Sequence, residues 1–221
     1  MTLLELCLYT KTIAQKIRGL YNINMRKIVV LTFVTLDGVM QAPGGKGEDP
    51  SGGFNLEGWT VPFFDEALGE EMTKQMSQPF DLLLGRKTYE IFATYWPQQS
   101  EAEGINKAKK YVVASKPVST EWKETIPIQG DLAAEIKKLK QQDGPMLQVH
   151  GSSQLIQALL ANDLVDEIWL KIFPVTLGMG KRLFGEGTIP AAFKLTGSTV
   201  SPSGVMVASF TRDGDVRLGS F

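Results

Sequence analysis

Three short clusters carry side chains able to grip an anion. The first is Gly85-Arg86-Lys87-Thr88, which follows the apolar run Leu82–Leu84. A strand that stops at glycine and feeds a helix leaves first-turn N–H groups free, and glycine lets a ligand approach the backbone. Arg86 and Lys87 add positive charge, and Thr88 adds a hydroxyl. The second cluster is Ser115-Lys116 and the third is Gly151-Ser152-Ser153, each just past an apolar run. Ligands of open α/β sheets sit at the carboxyl ends of strands. Three such ends could hold one extended polyanion, such as a dinucleotide. Arg86 with Lys116 would suit a 2′-phosphate, which favours NADP over NAD. Each cluster also reads as a plain turn with solvated cations, and none has the G-x-G-x-x-G or Walker spacing.

Acids and aromatics are the other candidates. Asp37 ends the first apolar run, where an Asp-Gly turn is the plainer reading. Asp65 and Glu66 open a helical stretch, where acids also complement the helix dipole. His150 stands beside Gly151, and a lone histidine is more often a hydrogen-bonded structural residue than an acid or base. Asp166-Glu167 reads as a capping or subunit-contact pair. Trp59, Tyr95 and Trp96 flank loops and could line a flat aromatic pocket, or fill the core.

Composition removes other chemistries. The single cysteine, Cys7, excludes an intramolecular disulfide and a multi-cysteine metal site, and the single histidine excludes paired-histidine sites. No metal is expected. The near absence of cysteine points to the cytosol. A net charge of −1 gives no argument for nucleic acid. No apolar run approaches the ~20 residues of a membrane span.

The elements that must position these residues alternate in type. Ile28–Thr35 is β-branched and apolar, a central strand. Residues 41–58 hold Pro43, Gly44, Gly45, Gly47, Pro50, Gly52, Gly53 and Gly58, a long loop of the kind that carries function. Helical spacing then runs over 63–76. Strands follow at 81–85, 110–114, 126–129, 146–149 and 164–173, with helices at 87–93, 102–107, 131–141 and 154–161 among them. Phe193–Ser198 and Val205–Thr211 form an antiparallel hairpin. This order predicts an α/β fold whose sheet is mostly parallel with an antiparallel C-terminal edge. Residues 1–24 read as a weakly amphipathic N-terminal extension, 25–213 as the domain, and 214–221 as a C-terminal tail. A docked helix is the alternative for 1–24.

The motifs in series resemble a known family. They are Thr35-Leu36-Asp37-Gly38-Val39, Leu84-Gly85-Arg86-Lys87-Thr88-Tyr89-Glu90, Val149-His150-Gly151-Ser152, Leu164-Val165-Asp166-Glu167 and the run Pro174 to Phe184. Together they resemble the stand-alone dihydrofolate-reductase-like proteins that match the reductase domain of the bacterial bifunctional riboflavin deaminase-reductase. The match covers about residues 26–212.

The resemblance implies a dihydrofolate-reductase-like three-layer fold and NADPH as hydride donor. It implies that Gly85, Arg86, Lys87 and Thr88 hold cofactor phosphates, with Ser115 and Lys116 by the adenosine and Gly151, Ser152 and Ser153 by the pyrophosphate. Asp37 matches the family's first-strand acid, near nicotinamide and substrate, and Asp65 is the loose counterpart of the buried acid of dihydrofolate reductases. Riboflavin enzymes of this family reduce 5-amino-6-(5-phosphoribosylamino)uracil. No deaminase zinc motif accompanies the domain here. The alternatives are a module that binds NADP(H) without turnover and a reductase of a pterin. The family is commonly dimeric. A homodimer is expected through Trp169, Lys171 and Phe173, which alternate with the core-facing Ile168, Leu170 and Ile172.

Overall fold

β1 (Ile28–Thr35) is built from valine, isoleucine, threonine and other large apolar residues, and every position except Phe33 is buried. Such a run survives only in the middle of a sheet covered on both faces. That is its place in the computed structural model, which describes residues 25–185 and 188–220. The expected extension, residues 1–24, lies outside the described residues.

The other strands are β2 (Phe80–Gly85), β3 (Lys110–Val113), β4 (Thr125–Ile128), β5 (Met146–Val149), β6 (Glu167–Phe173), β7 (Phe193–Val200) and β8 (Met206–Arg212). They form one sheet in the order β4-β3-β2-β5-β1-β6-β8-β7. Pairing is parallel from β4 to β6, and β8 and β7 close the far edge antiparallel. The mostly parallel sheet with its antiparallel hairpin is the expected one.

Helices cover both faces: α1 (Glu66–Met76), α2 (Arg86–Tyr95), α3 (Glu103–Lys107), α4 (Leu132–Lys140) and α5 (Ser153–Ala161). On one face Val30, Val149 and Ile168 pack with Ile136 of α4 and Ile156 and Leu159 of α5. On the other, Phe173 packs with Leu68 of α1 and with Trp59, while Leu82 and Leu84 pack with Tyr89 of α2. Three layers result.

Most element bounds lie within two residues of the sequence reading, and two starts lie three residues away. Helix α1 begins at Glu66 instead of Phe63, because Val61–Phe63 makes a separate tight turn and Asp65 is the residue that caps the helix. Strand β6 begins at Glu167 instead of Leu164. The Leu164 N–H closes α5 on the Leu159 carbonyl, and the Asp166 carboxylate accepts the Ile28 N–H at 2.7 Å.

The face of β6 assigned to a second subunit is corrected by the fold. Phe173 is fully buried against Trp59, Phe63 and Phe33, with ring centroids 5.3, 6.0 and 5.7 Å away. Lys171 is fully buried as well. The chain covers this face with its own 59–64 segment and α1, and only Trp169 stays half-buried. Period-two alternation had separated the two faces of β6 correctly. It could not say which part of the chain would cover the second one.

Candidate functional site

The carboxyl ends of β2 and β5 lie side by side, and their turns are pressed together. The Gly85 N–H donates to the Gly151 carbonyl at 3.0 Å. A Cβ on Gly85 would sit 2.4 Å from Ser152 Oγ, and one on Gly151 would sit 2.6 Å from Thr88 Oγ1. Only glycine fits at either position without displacing the opposite turn. Each turn feeds a helix. Arg86 opens α2 with no side chain capping its first N–H groups. Ser152 caps α5 by accepting from the Leu155 N–H. Two helix N-termini, each with partial positive charge, therefore converge beside Arg86, Lys87, Thr88, Ser152 and Ser153.

All of these residues border one large cleft of about 1920 Å³. Ser115, past the end of β3, borders it too, as do Tyr95 and Trp96 of the expected aromatic trio. Trp59 instead lies in the core and donates from Nε1 to the Gln41 carbonyl at 2.8 Å. Arg86 is exposed and pairs with Glu90 at 2.7 Å, one helical turn on. The glycine-rich 41–49 segment forms part of the cleft's rim. It is pinned there by Lys181, whose Nζ donates to Asp49 Oδ2 at 2.6 Å and Ser51 Oγ at 2.8 Å.

Three expected site residues lie apart from the cleft lining. Lys116 follows Ser115 but is exposed and does not border the cleft. Asp37 accepts from the Thr35 hydroxyl, from the Leu177 N–H at 3.2 Å and from the Gly178 N–H at 2.8 Å. The Thr35 hydroxyl, helped by those two amides, holds its carboxyl below the usual range. Arg182 adds a donor to its carbonyl at 2.7 Å. Asp37 thus fastens the 177–182 loop to the end of β1. Asp65 accepts from the Leu68 N–H at 2.8 Å, capping α1, and from the Ser203 N–H at 2.9 Å, tying α1 to the β7–β8 turn. The Leu68 amide leads in holding its carboxyl below the usual range.

Titratable groups outside the expected set of site residues also border the cleft. Glu48 lies on the rim, and burial pushes its carboxyl up. Lys171 of β6 lies at the floor, and burial pushes its amine down to about 7, opposed in part by the Glu71 carboxylate. His150 is pushed down to about 3, chiefly by burial and further by the charge of Lys171. Its Nε2 lies 3.3 Å from Gln148 Oε1, and its ring packs tilted at 55° against Phe92, with centroids 5.7 Å apart. It is therefore neutral near pH 7 and serves as a structural contact. The signal for Lys171 was a lysine in the middle of an otherwise apolar strand. Among the described residues no group of three or more His, Cys, Asp or Glu side chains is arranged to hold a metal. No described helix is long and apolar enough to cross a membrane.

Residues 26–207 match the family model of the RibD C-terminal domain. The uncharacterized Bacillus subtilis (strain 168) protein YyaP is 28% identical over 192 residues, which span 84% of this chain and 94% of that protein. The crystal structure of a Shewanella sp. PV-4 protein, described as a riboflavin biosynthesis protein, aligns with a TM-score of 0.61 at 22% identity. The alignment covers 86% of this chain and 99% of that one. Dihydrofolate reductase from Enterococcus faecalis, complexed with NADP(H), aligns with a TM-score of 0.55 at 12% identity, over 85% of this chain and 96% of that one. At such identities the two structures show a shared fold.

Proposed function

The chain belongs to the RibD C-terminal domain family, and from that membership we propose an NADPH-dependent reductase acting on a small heteroaromatic or sugar-phosphate substrate. The observation that carries the reading is the pressed pair of turns at Gly85 and Gly151, with two helix N-termini opening on one cleft. Pre-aimed backbone N–H groups and helix dipoles are what a pyrophosphate requires. The cleft volume also exceeds the roughly 300–1,000 Å³ of a single drug-sized ligand site. It leaves room for a dinucleotide and a second molecule.

In this reading Gly85, Arg86, Lys87 and Thr88 hold one phosphate group, and Gly151, Ser152 and Ser153 hold the pyrophosphate. Ser115 lies by the adenosine. Lys116 reaches the 2′-phosphate only by swinging in from the exposed turn. The cofactor supplies the hydride. The protein supplies a fixed pose, exclusion of water by the 41–49 rim, and a proton for the reduced atom. Glu48 is the cleft carboxyl whose raised pKa suits it to hold that proton. Asp37 and Asp65 act at one remove, by holding the 177–182 loop and α1 in place.

A second reading is an NADP(H)-binding module without turnover. It is favoured by the engagement of both Asp37 and Asp65 outside the cleft lining. The loss of NADPH absorbance separates the two when uracil-based, pterin and sugar-phosphate compounds are screened at fixed protein. Substrate-dependent oxidation is expected. Tight NADPH binding with no oxidation across all three classes would select the binding module.

A further inference from the structure

Lys171 is an unusual occupant of a sheet core. Its side chain has no exposed surface, and its Nζ has no hydrogen-bond partner among the described residues. Lys110, also fully buried, shows what a structural lysine looks like. Its Nζ donates to the Asn106 carbonyl at 2.6 Å and the Lys123 carbonyl at 2.9 Å, and it lies 4.3 Å from the Trp122 ring. Lys171 has none of this, only the Phe33 ring with its centroid 5.9 Å away. A buried amine left unpaired costs stability, whichever form it takes.

Its position gives the cost a purpose. Lys171 pairs in register with Phe33 of β1, and both border the cleft. β1 and β5 separate it from β2, whose end carries the first of the anion-binding turns. Met72 of α1 and Phe64 complete a mostly apolar wall there. The charged groups that face Lys171 are Glu71 from α1 and, from the end of β5, His150. Neither makes a hydrogen bond to its Nζ. A four-carbon stem lets the ammonium rise a short way into the cleft.

We propose that Lys171 is the residue that recognises the second molecule in the cleft, by taking an anionic oxygen of a planar heterocycle, such as a ring carboxylate or a deprotonated ring oxygen. Phe33, Phe64 and Met72 take the flat ring, and the ammonium takes the charge. Pairing in a water-poor site makes such a contact stronger than it would be at the surface. The inference rests on the reductase reading only in calling that molecule the substrate.

The test uses orotate and uracil, the same ring with and without a carboxylate, on the full chain saturated with NADPH. The wild type should bind orotate more tightly than uracil by about tenfold or more, the effect of one charged hydrogen bond. Lys171→Met should lose that preference while keeping its affinities for uracil and for NADPH. A variant that binds orotate as the wild type does, or that loses NADPH as well, overturns the proposal. So does a wild type that does not prefer orotate at millimolar concentration. A second measurement needs no variant. In protein labelled with ¹⁵N-lysine, the ammonium signal that titrates near pH 7 should move on adding orotate and stay fixed on adding uracil. The reverse overturns the assignment. Failure of the wild type to bind NADPH would sink the reductase reading alone, because the orotate–uracil difference measured on the unliganded chain still supports or overturns the role of Lys171.

Discussion

Replacing Lys171 by methionine should make the protein more stable. Methionine fills nearly the same volume with no polar atom to satisfy, and it adapts to irregular packing. The lysine is fully buried, and its amine is pushed from 10.5 down to about 7. A depression of that size corresponds to about 5 kcal/mol against folding, an upper figure because the side chain and nearby water relax. A gain of about 2–5 kcal/mol is expected near pH 7, or a melting temperature at least about 5 °C higher for a chain of this size.

The gain should shrink with pH, and the sign follows from proton counting. The unfolded lysine keeps its proton up to about pH 10.5, whereas the folded one releases it near pH 7. At this site the unfolded state therefore binds more protons between these values, and Lys171 alone makes wild-type stability rise with pH by up to about 1.4 kcal/mol per unit. Lys171→Met lacks that slope. His150 does not interfere, because its pKa is low in the fold and its cost is felt only as pH falls below 6.5. Urea melts of both proteins at about pH 7 and about pH 9.5 measure the gap twice. A variant less stable than the wild type, or a gap that does not change with pH, would refute the reasoning.

Other outcomes rest on single contacts. Arg86→Ala should weaken NADPH binding by roughly 1.5–3 kcal/mol, the worth of one charge-assisted contact, and unchanged affinity would remove Arg86 from the site. Asp81→Ala leaves the buried Arg26 guanidinium without its carboxylate partner and should cost about 3–5 kcal/mol in a denaturant melt. Deleting residues 1–24 should leave the melting temperature unchanged if the domain begins at Met25, and a drop of several degrees would show that the segment buries a face. Trp169→Glu should leave the sedimentation mass as it is, since Lys171 and Phe173 beside it are covered by the chain itself. A fall from dimer to monomer would restore the interface that the fold argues against.

The central strands were legible because each is an unbroken apolar run between glycine, proline or charged residues. β1 and β5 match the expected bounds, and β2 lies within one residue of them. Burial on both faces leaves that mark in the sequence itself. The turns at Gly85 and Gly151 were legible as glycine-led strand ends, and their meeting in space comes from a parallel sheet that sets β2 beside β5. The tasks of Asp37 and Asp65 were not legible, since their partners Gly178 and Ser203 lie 141 and 138 residues further on. Ser115 and Lys116 are neighbours in the chain, yet only the serine borders the cleft, because the backbone turns between them past the strand end. Lys171 stood in plain sight in β6. Alternation placed it on the correct face, but the cover over that face comes from segments about a hundred residues earlier in the chain.

Calorimetric titration of the wild-type protein with NADPH and then with NADH tests the central claim most directly. The two cofactors differ only in the 2′-phosphate, so the comparison isolates the cationic end of the cleft. NADPH should bind more tightly by about tenfold or more, as one additional charged contact requires. Equal affinities, or no binding of either, would contradict the account.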